Sequence, residues 1–231
     1  FGAATEQYER VVRDYPQSNL LDEALFRAAV NHQRFFAFDK AVAAYKALAT
    51  EARFKNAPHR HDALYNAALI SENDQSYAQA VELWTKYARD EKTSPEEAAQ
   101  ASFRAARATE KLGSAARAEQ ELSQFVAKYG KDERRLPQVV EAHYRLARLQ
   151  TQQKDPTGAT ESLRKTAQLG AKLPPGSDGA EFAAEAAFQL AERRLADLEK
   201  QRITGSGREL ESSIADFNKK VNEAVVEYDK V

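Results

Sequence analysis

The sequence has no cysteine and no methionine, and its 231 residues include only 9 glycines, 7 prolines and one tryptophan. Without cysteine there is no disulfide frame, no thiolate nucleophile and no cysteine-based zinc site. An excess of charge is missing too: 34 Lys plus Arg stand against 35 Asp plus Glu, a formal net charge of -1. That balance argues against nucleic acid or an anionic membrane as the main partner. Charge interrupts every apolar stretch, and no window approaches the roughly 20 apolar residues of a transmembrane span. There is no glycine-rich phosphate loop, no Gly-x-Ser-x-Gly and no His-Glu-x-x-His. No catalytic residue, cofactor or metal is therefore expected. Phe1-Gly2-Ala3-Ala4 does not read as a natural start, so a fragment of a longer protein is expected.

What is abundant is alanine, nearly a fifth of the chain, with Leu, Glu, Gln, Lys and Arg making up most of the rest. These residues lose little side-chain freedom in a helix. The breakers are regularly placed: Pro16, Pro58, Pro95, Pro137 and Pro174 fall 42, 37, 42 and 37 residues apart, and proline suits helix starts but not interiors. Ser94-Pro95-Glu96-Glu97 has the form of a capping box, and Asp155-Pro156 opens another helix.

A repeat follows from the small residues. Ala4-Tyr8-Val11, Ala41-Tyr45-Leu48, Ala80-Trp84-Tyr87, Ala118-Leu122-Phe125 and Ala159-Leu163-Thr166 share one pattern, with successive alanines 37, 39, 38 and 41 apart. Ahead of each full unit comes a second small pair: Ala28-Ala29, Ala67-Ala68, Ala105-Ala106 and Leu146-Ala147. Small residues let two helix backbones approach while large ones fill the groove, so each unit reads as a helix hairpin. Toward the C-terminus the pattern changes to seven-residue stripes, Ala184-Phe188-Ala191-Leu195-Leu198 and Leu210-Ile214-Phe217-Val221-Ala224-Tyr228, predicting a longer antiparallel hairpin joined by Ile203 to Gly207.

This pattern resembles the tetratricopeptide repeat family. Leu25, Ala28, Ala29, Phe38, Ala41, Tyr45 and Leu48 sit where that family places its packing residues, and Leu64, Ala67, Ala68, Tyr77, Ala80, Trp84 and Tyr87 do so again. The departures are a longer period, Ala or Ser where the family usually has Gly, and a loose match in the last two units. The resemblance implies an all-α solenoid over residues 1–231. Its parts are a half repeat at 1–18, repeats at about 19–57, 58–93, 94–136 and 137–173, and the long hairpin at 180–231. Because Phe1 and Ala4 match Phe38 and Ala41, further repeats are expected before the chain and after Val231. The stretch from Tyr8 to Ser18 followed by Asp22-Glu23-Ala24-Leu25-Phe26 is similar to the bacterial cell-envelope branch. That implies a periplasmic or envelope location, with the cytoplasm as the alternative.

In that family the first helix of each unit lines a concave groove. The resemblance therefore implies partner-binding roles for Phe26, Gln33, Tyr65, Asn66, Asn73, Arg104, Arg107, Lys111, Tyr144 and Arg148. Glu23, Val30, Asp62, Leu69 and Gln152 accompany them. Asn66 alone matches the family's clamp for terminal carboxylates. Acidic residues, Asp22, Glu23, Asp62 and Glu72, gather early, while Arg104, Arg107, Lys111, Arg145 and Arg148 come later. The basic half is expected to receive an acidic or C-terminal carboxylate segment of a protein or peptide partner; an ordinary solvated face is the alternative. Trp84 fills the large slot of the repeat and is expected in the core. His59-Arg60-His61 reads as a polar loop with exposed imidazoles rather than a metal pair, and His32 and His143 as structural. The expected function is a non-enzymatic scaffold in an envelope assembly. The alternatives are an accessory domain of a peptidoglycan-processing enzyme and a self-associating spacer, so the oligomeric state stays open.

Overall fold

The computed structural model describes residues 2–228, and all regular structure among them is helical. Phe1, matched above to Phe38, lies outside the described residues, as does the side chain of Tyr228. Helices α1 (Gly2–Asp14), α2 (Leu21–Arg34), α3 (Phe38–Thr50), α4 (Arg60–Asn73), α5 (Tyr77–Arg89) and α6 (Pro95–Lys111) come first. They are followed by α7 (Ala115–Tyr129), α8 (Leu136–Gln152), α9 (Pro156–Gly170), α10 (Ala180–Lys200) and α11 (Arg208–Tyr228). The chain divides into two compact units, the first ending at Ala118 and the second beginning at Glu119, within α7.

The helix starts follow the capping chemistry. The Ser94 hydroxyl accepts from the Glu97 amide while the Glu97 carboxylate accepts from the Ser94 amide, completing the box. Asp155 caps α9 by accepting from the Gly158 amide at 2.9 Å.

The turns inside the hairpins obey one rule. Each closes with a residue at positive φ: Phe36 (58°), Gln75 (61°), Gly113 (83°) and Lys154 (62°). In each, the following amide donates back to a carbonyl five residues earlier: Ala37 to His32, Ser76 to Ser71, Ser114 to Thr109 and Asp155 to Gln150, at 2.8–3.3 Å. This left-handed closure satisfies the last carbonyls of the first helix and reverses the chain. The repeat seen in the sequence is thus repeated in backbone geometry.

In the first unit, successive helices from α1 to α6 pack on one another. Ala41, Ala80, Tyr45, Trp84 and Leu48 are all buried, as are the pairs Ala28-Ala29, Ala67-Ala68 and Ala105-Ala106. Ala4, their counterpart in α1, is exposed. In the second unit α9 packs on both α8 and α10, and Ala159, Leu163 and Thr166 are buried. Gly170 permits the closest approach, since a Cβ there would lie 2.0 Å from the Ala183 Cβ.

The long C-terminal pair differs from its expectation. Both helices form, and Arg194 pairs with Glu223 across them. Yet among the described side chains of the predicted stripes only Ala191, Leu198 and Ala224 are buried, while Ala184, Phe188, Leu195, Leu210 and Ile214 are exposed. The reason is that α10 carries a second apolar side. Ala183 meets Gly170, Phe182 lies 5.2 Å from the Tyr144 ring, and Ala186 and Leu190 join the cluster around Leu163. The side facing α8 and α9 wins, and α11 covers the rest incompletely.

Candidate functional site

In the first unit, α2, α4 and α6 are the first helices of their hairpins, and they hold most of the residues singled out above. Phe26 and Tyr65 occupy equivalent places two residues ahead of the small pairs. Both are half-buried against the core rather than free. Phe26 meets Tyr45 edge-on at 5.8 Å and stacks flat on His59 at 4.2 Å. Tyr65 packs edge-on to Trp84 at 5.5 Å and against Tyr87 at 5.4 Å.

The polar residues of this face are tied to the second helices. Gln33 accepts a hydrogen bond from the Tyr45 hydroxyl at 3.1 Å. The Tyr45 phenol is pushed up to about 12, chiefly by burial, with nearby Asn66 working in the opposite direction. One repeat later Glu72 accepts from Trp84 Nε1 at 2.8 Å and from Arg104 at 3.0 Å, and the Arg104 guanidinium lies 5.0 Å from the Trp84 ring. Burying an indole N–H or a phenol requires such a partner. Gln33 and Glu72 each stand 12 residues ahead of the aromatic they cap.

These ties change the charge reading. Arg104 is neutralised by Glu72, and in the second unit Arg145 is paired with Glu141 at 2.7 Å. The expected division into acidic and basic halves is weakened accordingly. Arg107 lies 6.0 Å from the Phe103 ring. Asn73 and Lys111 sit exposed at the ends of α4 and α6. Tyr144 and Arg148 belong to the second unit, where Tyr144 packs against Phe182 and Arg148 is exposed.

The histidines depart from the expectation of a polar loop. His59 is stacked on Phe26 and lies 3.1 Å from Glu23. His61, inside α4, stacks on Tyr87 at 4.7 Å and lies 3.4 Å from Asp90. Burial works against the Asp90 charge, but the Lys92 amide and the Arg60 guanidinium at 2.8 Å outweigh it and hold the carboxyl below its usual range. Both imidazoles are packing elements, because the turn of chain after Pro58 is wound into the start of α4. His32 is buried beside Glu9 at 3.0 Å, in a structural role. His143 is pushed down to about 4, mainly by burial and then by nearby Lys165, so it is neutral at pH 7.

Two features escaped the sequence reading. One is an aromatic tip at the α2–α3 turn, where Phe35 and Phe36 are exposed and Phe36 meets Phe38 edge-on at 6.0 Å. The other is a groove of about 1120 Å³ between α9 and α10, with alanines and arginines among its lining residues. The Arg193-Arg194 doublet and the alanine-rich start of α10 were the available signals.

The succession of helix hairpins is matched in solved structures. A chain described as a Podosopora anserina kinesin light chain type of nearly identical TPR-like repeats superposes with a TM-score of 0.50 at 17% identity, covering 90% of this chain and 98% of that one. BtubC from P. vanneervenii gives 0.51 at 16% identity, covering 96% and 88%. The chain has a tetratricopeptide-like fold. No protein-family profile and no curated protein matches it in sequence. Within the tetratricopeptide-like frame, the face of α2, α4 and α6 is the one lined by first helices, and its side chains are already held in place by Tyr45 and Trp84.

Proposed function

We propose that the chain is a non-enzymatic scaffold that binds partner proteins through its first-helix faces, within a bacterial envelope assembly in the periplasm. The observation that carries this is the set of half-exposed side chains fixed before any partner arrives. Tyr65 is clamped between Trp84 and Tyr87, and Gln33 and Glu72 are oriented by bonds to buried aromatics. A pre-set face loses little side-chain freedom on binding, and Tyr is among the residues that dominate interface energies. Asn73 and Lys111 at the helix ends add polar rim groups, and Arg148 does the same in the second unit. The envelope setting is supported by the likeness of the stretch from Tyr8 to Phe26 to envelope members of the family.

Photo-crosslinking amino acids placed at Asn73 and Lys111 in the native host test the reading. The expected result is discrete adducts with other proteins at both positions, lost when Tyr65→Ala and Asn66→Ala are introduced together, and absent with a crosslinker at exposed Lys40 on α3. Equal adducts at all three positions would remove the reading. Fractionation of the same cells checks the compartment.

A second reading, self-association, is favoured by the exposed Phe188, Leu195, Ile214, Val225 and Val226 on α10 and α11. It requires a molecular mass that rises with concentration in light scattering.

A further inference from the structure

The groove between α9 and α10 is not explained by the first-helix face. Its floor is largely alanine, with Ala167 from α9, Ala171 just after that helix, and Ala184 and Ala187 from α10, beside Leu173 and Leu190. Its walls are basic: Arg164 stands on the α9 side and Arg193, Arg194 and Lys200 on the α10 side, against one acid, Asp197. Little in the groove quenches that charge. Arg164 is exposed and makes no ion pair among the described residues. Arg193 donates to the neutral Thr160 hydroxyl at 2.7 Å. Lys200 lies 3.8 Å from Asp197 with both side chains largely in solvent, where such a pair contributes little. Arg194 is paired with Glu223 of α11.

We propose that this groove docks an acidic amphipathic helix from a partner protein. Its narrow apolar stripe rests on the alanines, and Asp or Glu on both flanks reach the cations of the two walls. An alanine floor lets a helix backbone come close, as α10 itself does where Ala183 meets Gly170. An extended peptide is disfavoured, because α9 and α10 satisfy their own backbone groups and offer no sheet edge. The floor also has no aromatic ring on which a nucleobase could stack. Along the 15 residues of α9, about 22 Å of docked helix fits, or roughly four turns. Carboxylates on both flanks then meet arginine forks suited to two-pronged pairing. This site is separate from the face of α2, α4 and α6, and neither needs the other.

Three displayed pools of 15-residue helical peptides test the proposal. They share an Ala/Leu stripe and differ in having Glu, Gln or Lys fixed at the flanking positions. Binders are expected from the Glu pool alone. A selected peptide should lose at least tenfold in affinity by fluorescence anisotropy against Arg164→Glu/Lys200→Glu, and similarly against Ala184→Trp, which fills the floor at an exposed position. Circular dichroism should be unchanged. If Ala184→Trp perturbs the fold, the charge reversal at two exposed positions carries the test alone. Equal recovery from the Gln or Lys pool, no binder from any pool, or a Glu-pool binder indifferent to the charge reversal would overturn the proposal. So would a concentration-dependent mass abolished by Ala184→Trp, which would put a second copy of this chain in the groove. Crosslinking at Asn73 and Lys111 does not depend on these variants, so failure here leaves the first-helix face standing.

Discussion

In the hairpins of the first unit Ala41, Ala80, Tyr45 and Trp84 are at most 1% exposed, whereas Phe188, Leu195 and Ile214 of the α10–α11 pair stand at 42, 42 and 39%. Both regions have regular apolar spacing and both form helices. The difference lies in what locks one helix to the next. In the first unit a left-handed turn fixes each hairpin and a hydrogen bond joins the two helices, Tyr45 to Gln33 and Trp84 to Glu72. Between α10 and α11 the link is the longer stretch 201–207, and the apolar stripes are left half covered. Periodicity specifies a helix and one apolar side. Whether that side is buried depends on which neighbour competes for it.

The sharpest way to break this comparison is to remove one large side chain from each region. Trp84→Ala empties a fully buried slot and removes one of the two donors to the Glu72 carboxylate, so a loss of about 3–5 kcal/mol is expected in chemical denaturation. Ile214→Ala removes a side chain already 39% exposed and should lose no more than about 1 kcal/mol. Comparable losses at the two sites would mean that the terminal pair is as firmly packed as the hairpins.

A smaller effect concerns how α10 chose its neighbour. Gly170→Ala would put a methyl 2.0 Å from the Ala183 Cβ. Helices would have to separate, at a loss of about 1–3 kcal/mol. Ala183→Gly should restore most of it, so that the double variant lies closer to the parent than Gly170→Ala does. Absence of rescue in thermal melts would show that the α9–α10 approach does not hold α10 in place.

Much of this was legible in the residues. Alanine spacing located the crossings, Ser94 and Asp155 marked helix starts, and the burial of Trp84 followed from its slot in the repeat. The partial burial of Phe26 and Tyr65 was not legible, because a residue beside a packing seam can face either way and only the neighbouring His59 and Trp84 decide. Arg104 looked like a free cation for the same reason, since its partner Glu72 is 32 residues away in sequence. The α10 stripes misled because Ala183, Ala186 and Leu190 form an equally good apolar side that the heptad count passes over.

The finest test of the comparison lies in the turns that lock the hairpins. Phe36 adopts φ 58° where the equivalent position two hairpins later is Gly113 at 83°. A left-handed conformation costs an L-residue about 1–2 kcal/mol, and glycine almost nothing. Phe36 is 79% exposed, so little burial offsets that strain beyond an edge contact with Phe38 that contributes about 0.5–1 kcal/mol. Phe36→Gly should therefore be neutral to stabilising by up to about 1 kcal/mol, while Gly113→Ala, with open space around its Cβ, should destabilise by about 1 kcal/mol through backbone strain alone. Opposite signs in paired melting experiments would show that the turn conformation, rather than the side chain standing on it, closes each hairpin. If Phe36→Gly instead destabilises by more than the edge contact accounts for, the aromatic tip takes part in packing and the turns are not equivalent.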